Sequence, residues 1–264
     1  MKTKNLEKIV CPLCKTEKYD IYAEIKGLNY VRCTGCSLVY VNPRLNDSYT
    51  QQIYEGKKLK SRFKNFLYSR RTMKDLENID KRMLRGELLM YEVEKYQKSG
   101  KILDIGCNRG FLLAAAESWG WECYGIELVQ WMTKLVEKDF NVTIFNKELL
   151  EVSRDFEDGF FDAITMIDII EHLRDPVQNM VEVNRLLKKE GFLLINTVDV
   201  ESSHARIQGK DWGHLNPFEH LCVFSRRTAN VLLEKCGFEI IRFLPSKGSA
   251  GEMEIHLKKV KDLY

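Results

Sequence analysis

Lys101-Ile102-Leu103-Asp104-Ile105-Gly106-Cys107-Asn108-Arg109-Gly110-Phe111-Leu112-Leu113-Ala114-Ala115-Ala116 is the stretch that decides the fold of this chain. A short apolar run ends in a turn bounded by glycines, and a helix-compatible run of Leu and Ala follows. Gly106 permits a sharp bend and close approach of a ligand to the main chain, and Gly110 permits tight helix–strand packing. The pattern is G-x-x-x-G. Asn108 stands where the dinucleotide fingerprint has its middle glycine, so a pyrophosphate would meet a side chain there.

Outward from this unit, short apolar runs alternate with helical patterns. Ile102–Ile105, Glu122–Ile126, Val142–Phe145, Phe161–Ile167 and Gly191–Thr197 read as strands, with helices at Phe111–Trp119, Val129–Lys138 and Pro176–Lys189. Ser225 reads as the N-cap of a helix through Lys235 that Gly237 stops. Phe238–Phe243 and Glu252–Lys259 finish the chain as a hairpin-like pair. Alternating strands and helices imply parallel strands joined by right-handed crossovers. The predicted class is α/β, a doubly wound, Rossmann-like sheet of seven mostly parallel strands. Its second strand ends in Glu127, 23 residues beyond Asp104, where a carboxylate can accept both hydroxyls of a ribose. Acid and glycine turn together indicate an adenosine-type ligand bound without a phosphate cradle.

Toward the N-terminus, Cys11-Pro12-Leu13-Cys14 and Cys33-Thr34-Gly35-Cys36 form two close pairs, with 18 residues between Cys14 and Cys33. C-x2-C-x18-C-x2-C is the spacing of a four-cysteine zinc site, in which two facing turns complete a tetrahedron at ~2.3 Å per sulfur. Such a closed site is structural, and a segment of ~40 residues needs the binding energy to fold. The zinc ribbon is read over residues 1–44, closed by Asn42-Pro43. Cys107, Cys123, Cys222 and Cys236 read as reduced interior residues. Residues 45–98 read as a linker and helical connector. It carries Lys57, Lys58, Lys60, Arg62, Lys64, Arg70 and Arg71 without an intervening acid, the pattern of a solvated helix face or of an anionic or lipid-surface contact. Residues 99–264 form the third unit.

The 264 residues include 41 Lys and Arg against 38 Asp and Glu, a net charge of +3 that does not by itself imply nucleic acid. With 44% hydrophobic and 30% charged residues the chain is neither disordered nor collagen-like. No apolar run approaches the ~20 residues of a membrane span. The lysine-rich start runs into Cys11-Pro12 rather than an apolar signal core, so export is not expected and the location is read as cytoplasmic.

From about Lys101 onward the chain resembles the class I S-adenosylmethionine (SAM)-dependent methyltransferases, in the group of the ubiquinone-biosynthesis O-methyltransferases. The resemblance rests on Leu103 to Gly110, Gly125-Ile126-Glu127, Phe161 to Leu173 (FDAITMIDIIEHL) and Leu186 to Gly191 (LLKKEG). It implies a SAM-binding unit in which Asp104 and the turn with Gly106, Cys107, Asn108 and Gly110 hold the methionine moiety. Glu127, followed by Leu128, would take the ribose hydroxyls. Asn146 and Lys147 would edge the adenine, and Met166 to Asp168 would line the far wall. Two positions depart from the pattern: Asn108-Arg109 replaces a second glycine, and Asn146 stands where an acid often reads the adenine.

A sulfonium methyl is already activated, so alignment and exclusion of water are the main tasks. A hydroxyl acceptor also needs a base titrating near neutrality. His172, after the fourth strand, and His220, in Trp212-Gly213-His214-Leu215-Asn216-Pro217-Phe218-Glu219-His220, are the candidates. In similar enzymes the segment around His220 covers the acceptor. Some relatives hold Mg2+ with Glu-x-x-Glu-His, for which Asp168, Glu171 and His172 are the equivalent here. The expected acceptor is a small molecule, namely a sugar, glycan or nucleotide sugar, since sugar methyltransferases with an N-terminal four-cysteine module are arranged similarly. One alternative is an RNA methyltransferase gripping phosphates with the ribbon and basic stretch, against which the small net charge counts. The other is a non-catalytic zinc-ribbon adaptor, against which the intact Asp104, Gly106, Gly110 and Glu127 count.

Overall fold

The computed structural model describes residues 5–47, 78–246 and 250–263. The Lys57–Arg71 stretch and the first half of the expected connector lie outside them. The chain opens with β1 (Leu6–Glu7), then β2 (Tyr19–Ile25), β3 (Leu28–Cys33), β4 (Val39–Val41) and β5 (Arg44–Leu45). Helix α1 (Ile79–Glu94) is the described part of the connector. There follow β6 (Lys101–Ile105), α2 (Phe111–Ser118), β7 (Glu122–Ile126), α3 (Gln130–Asp139), β8 (Thr143–Phe145) and α4 (Leu149–Val152). Next come β9 (Phe161–Ile167), a 3-10 turn (Ile170–His172), α5 (Pro176–Leu186), β10 (Leu187–Val198) and α6 (Ser203–Gln208). The chain closes with β11 (Cys222–Val223), α7 (Arg226–Lys235), β12 (Phe238–Pro245) and β13 (Glu252–Lys259).

Seven strands form one sheet in the order β12-β13-β10-β9-β6-β7-β8, parallel except for β13, which runs antiparallel to both neighbours. The doubly wound reading holds. β9 is buried almost throughout because helices cover both faces, hence its near-continuous apolar run. Chain order reverses between β6 and β9, and a crevice opens at such a switch point beyond the carboxyl ends of the strands.

Local chemistry sets the element ends. Ser225 and Thr228 form a capping box at α7, with Thr228 N–H on Ser225 Oγ at 3.3 Å and Ser225 N–H on Thr228 Oγ1 at 2.8 Å. Pro176 begins α5, and the Asp175 carboxylate caps it by accepting Gln178 N–H at 3.0 Å. The helix expected to reach Lys189 stops at Leu186. Leu187 is already extended and pairs with Phe161, so burial on the sheet overrides the helical propensity of Leu-Lys-Lys-Glu.

The ribbon strands make a second sheet, β11-β4-β3-β2, and β1 pairs with β5. Its outermost strand on one side, β11, comes from the segment after β10. One face of this sheet buries Tyr30, Val39 and Val41 against Val198, Trp212 and Leu215. The cysteine end packs into the main core beside Cys222, Phe224 and Leu233.

Candidate functional site

Four cysteines converge at the tip of the ribbon. Cys11 and Cys36 Sγ lie 3.5 Å apart, Cys14 and Cys33 Sγ 3.4 Å, and all four sulfurs lie within 4.8 Å of one another. Ligands at ~2.3 Å around a tetrahedral zinc sit ~3.8 Å from each other, so the cluster fits that ion. Burial opposes ionisation of Cys14, yet hydrogen bonding to the Thr16 side chain and backbone lowers its thiol to about 6. Cys107, Cys123, Cys222 and Cys236 are free and buried.

At the carboxyl ends of β6 and β7 the main chain bends back at Gly106, whose N–H donates to Ile126 O at 2.8 Å. Gly106 has φ +79°, and a Cβ there would stand 2.1 Å from Ile169 Cδ1. Gly110 has φ +71°, and a Cβ would meet Val136 of α3 at 2.7 Å, so its close contact is with a helix rather than a strand. Glu127 ends β7. Its Oε2 accepts Asn108 N–H at 3.1 Å and its Oε1 accepts Val129 N–H at 2.7 Å. These bonds orient the carboxylate and leave acceptor capacity for a ligand. Asn146 fixes the same corner through Nδ2 on Glu127 O at 2.8 Å.

Beneath the bend, Asp104 accepts the Thr165 hydroxyl at 2.7 Å, and burial pushes it up to about 7. Burial also raises Glu127. Two carboxylates held back from ionising by burial are the setting in which a bound cation gains most, which suits a sulfonium and ammonium ligand. The donor set therefore fits SAM.

A cleft of about 970 Å³ runs from this corner past the carboxyl ends of the strands to the ribbon. Ile105, Gly106, Ile126, Glu127, Leu128 and Leu149 line one end. His172, Asp175, Gln178, Asn179, Phe218 and Glu219 line the other, and Ile9, Pro12, Lys15 and Arg44 of the ribbon form a wall. The imidazole of His172 donates Nδ1–H to Glu219 O at 2.8 Å. His220 stands behind it, ring centroids 4.8 Å apart, with Nδ1–H on His214 O at 2.7 Å. Burial lowers His220 to about 4. Of the expected lid, only residues around 217–221 reach the cleft; Trp212 and Leu215 are buried against the ribbon.

Of the site residues read from sequence, Gly106, Glu127, Leu128 and His172 share this cleft. Asp104, Cys107, Asn108 and Gly110 build the turn beside it. Met166 is wholly buried in the core, and Lys147 pairs with Glu151 at 3.1 Å on α4. Asp168, at φ +58°, accepts Asn196 Nδ2 at 2.7 Å and faces Arg85 at 3.5 Å. Asp168, Glu171 and His172 are thus not assembled as one cation site: Glu171 and His172 group with His220 instead. Glu171 accepts the Thr197 hydroxyl at 2.8 Å and burial raises it to about 8. The ribbon wall and Arg174 were missed because no local pattern announces a contact made across more than 120 residues.

A seven-stranded sheet with one reversed strand, a glycine bend and an acid closing the second strand define the SAM-dependent methyltransferase class. The chain belongs to the methyltransferase-domain family, which matches residues 76–242, well over half of its length. It is 27% identical over 103 residues to the ubiquinone biosynthesis O-methyltransferase of Methylococcus capsulatus, covering 38% of this chain. The match spans 44% of that relative, less than half of its length. Among solved structures, a SAM-dependent methyltransferase from Archaeoglobus fulgidus superimposes with TM-score 0.56 at 18% identity, over 67% of this chain and 94% of the other. One described as a SAM-dependent methyltransferase from Listeria monocytogenes gives 0.51 at 16% identity, over 67% and 100%. Among the described residues no helix is long and apolar enough to cross a membrane.

Proposed function

We propose that the protein transfers a methyl group from SAM to a hydroxyl of a sugar, glycan or nucleotide sugar. One observation carries the reading: a single cleft joins the Gly106–Glu127 corner to a polar rim that includes His172. The cofactor supplies an activated methyl, so the chain's part is to hold, orient and dehydrate. Gly106 and Asn108 would bound the methionine end, Glu127 the ribose, and Leu128 and Leu149 the adenine. His172 takes the acceptor proton at Nε2, because its Nδ1–H is committed to Glu219 O. His220 backs it as a neutral ring. Asp175, Gln178, Asn179 and Glu219 offer carboxylate, amide and carbonyl partners to several hydroxyls, beside the apolar face of Phe218. The O-methyltransferase name of the relatives supports a hydroxyl acceptor.

The test is label transfer from methyl-labelled SAM to a panel of free sugars, nucleotide sugars and phenols, with cofactor binding followed by calorimetry. Transfer to a sugar-bearing compound, lost in His172→Asn with cofactor binding retained, is the expected result. A chain that binds no SAM, or that methylates only phenols, overturns the reading.

A further inference from the structure

The turn that carries His172 is held from two sides, and both holds come from the ribbon and the few residues that follow it. Arg174, two residues beyond, directs its guanidinium there: Nη1 donates to Leu45 O at 3.0 Å, while Nη2 and Nε pair with Glu7 and Asp47. Arg44 returns the contact, with Nη1 on the Arg174 carbonyl at 2.7 Å and Nε on Glu7 Oε1 at 2.8 Å. Glu7 thereby sits between two guanidiniums that would otherwise repel. On the other side, the ring of His172 donates to Glu219 O, and the segment containing Glu219 hangs on the ribbon sheet. Tyr30 Oη–H donates to His220 O at 2.8 Å, Val41 N–H to Leu221 O at 3.0 Å, and Leu221 N–H passes on to Glu171 O at 2.8 Å.

An imidazole whose Nδ1–H is committed to a fixed carbonyl has one tautomer, with Nε2 left as the basic atom. When the carbonyl is free to shift, the proton distributes over both nitrogens and the ring turns. We infer that Tyr30, Glu7 and Arg44 of the ribbon are positioning residues for His172, holding its ring in the single tautomer and orientation that leave Nε2 basic. This rests on His172 as the base of the proposed transfer. It makes the ribbon part of the framework of the active site. Tyr30 is fully buried, and burial raises its phenol far above the usual range, so it remains a donor.

The test reads the ring and not turnover. The full chain is labelled with 15N-histidine; it has five histidines, and His172→Asn assigns the one in question. The wild type should show one neutral Nδ1–H tautomer at His172. Tyr30→Phe removes a single oxygen from a ring of unchanged shape, and Glu7→Gln removes one charge. Each should lose the single-tautomer signature, the double variant most completely, with melting transitions intact. Arg44→Lys should retain part of it, and Glu24→Gln, at an exposed position of strand β2, all of it. SAM affinity, measured by calorimetry on the same samples, should not change. Folded Tyr30→Phe, Glu7→Gln and double variants with the wild-type His172 signature would overturn the inference. Failure of the wild type to bind SAM would overturn the functional reading instead, and leaves the tautomer result standing.

Discussion

Glu127 carries more of the site than any other side chain, because two backbone N–H groups already hold it in place. Glu127→Ala would orphan both donors and confuse folding with binding; Glu127→Gln keeps an acceptor for one of them, so it removes the charge with less damage to the framework. A charged hydrogen bond is worth ~1.5–3 kcal/mol, so Glu127→Gln should weaken SAM binding by ~10–100-fold in calorimetry. An affinity equal to wild type would remove the ribose contact from the account. The buried acids make a second prediction. Asp104 titrates at about 7 against an ordinary 3.8, and Glu171 at about 8 against 4.5, burial being the first cause in both. Between those values the native state keeps protons that the unfolded chain has released. The contribution of these two acids to stability is therefore fully present below about pH 4, declines as pH rises from there, and is lost once pH has passed through 7 and 8. Asp104→Asn and Glu171→Gln should each raise the melting temperature of the ligand-free chain most at pH 8.5, by clearly less at pH 5, and barely alter it at pH 3. Each kcal/mol amounts to ~2–4 °C in a chain of this size. Parallel pH profiles for variants and wild type would show that the two acids ionise freely.

The bend between β6 and α2 is where element geometry shapes the cleft. At Gly106 a side chain meets two obstacles, a left-handed φ of +79° and Ile169 Cδ1 at 2.1 Å. The backbone strain alone costs ~1 kcal/mol, and the collision adds to it. Gly106→Ala should lower the denaturation midpoint, and adding Ile169→Val, which deletes the nearer colliding carbon and leaves Cγ1 at 2.7 Å, should restore part of the loss but not all. Full restoration would mean that the φ carries no strain. Such elements were legible because their signals are local. The runs 122–126, 161–167 and 252–259 coincide with observed strands, and the Ser225 cap stands where the hydroxyl pattern put it. The end of α5 was not legible: Leu186 to Lys189 looks helical along the chain, and only the approach of Phe161 in space explains why Leu187 extends.

At the scale of the whole molecule, sequence yielded the parts and not their assembly. Cysteine spacing pointed to the four-thiol cluster, and Asp104 to Glu127 pointed to the corner that closes one end of the cleft, yet nothing local says that β11, from residues 222–223, completes the ribbon sheet. Nor does a local signal place Arg44 against Arg174, 130 residues away. Spacing also suggested Asp168 as a companion of Glu171 and His172, whereas its carboxylate turns to Arg85 and Asn196 and His220 takes that place. This assembly makes the effect of metal removal specific. The purified chain should carry about one zinc, since a closed four-thiolate site binds tightly at neutral pH. Stripping it with a chelator, or replacing Cys33 by Ser, frees the turns at Cys11–Cys14 and Cys33–Cys36 first. Tyr30, Val41 and Arg44 follow, being strand residues between or beside those turns, and the partners they hold lie at residues 171–174 and 219–223. Hydrogen exchange should therefore rise over the ribbon, over 216–223 and over 168–175 together. Amides of β6, β7 and β8 should stay protected, their sheet partners being untouched, and calorimetry should still register SAM. Faster exchange confined to the ribbon would make it an independent module; faster exchange throughout the sheet would make its metal essential to the whole fold.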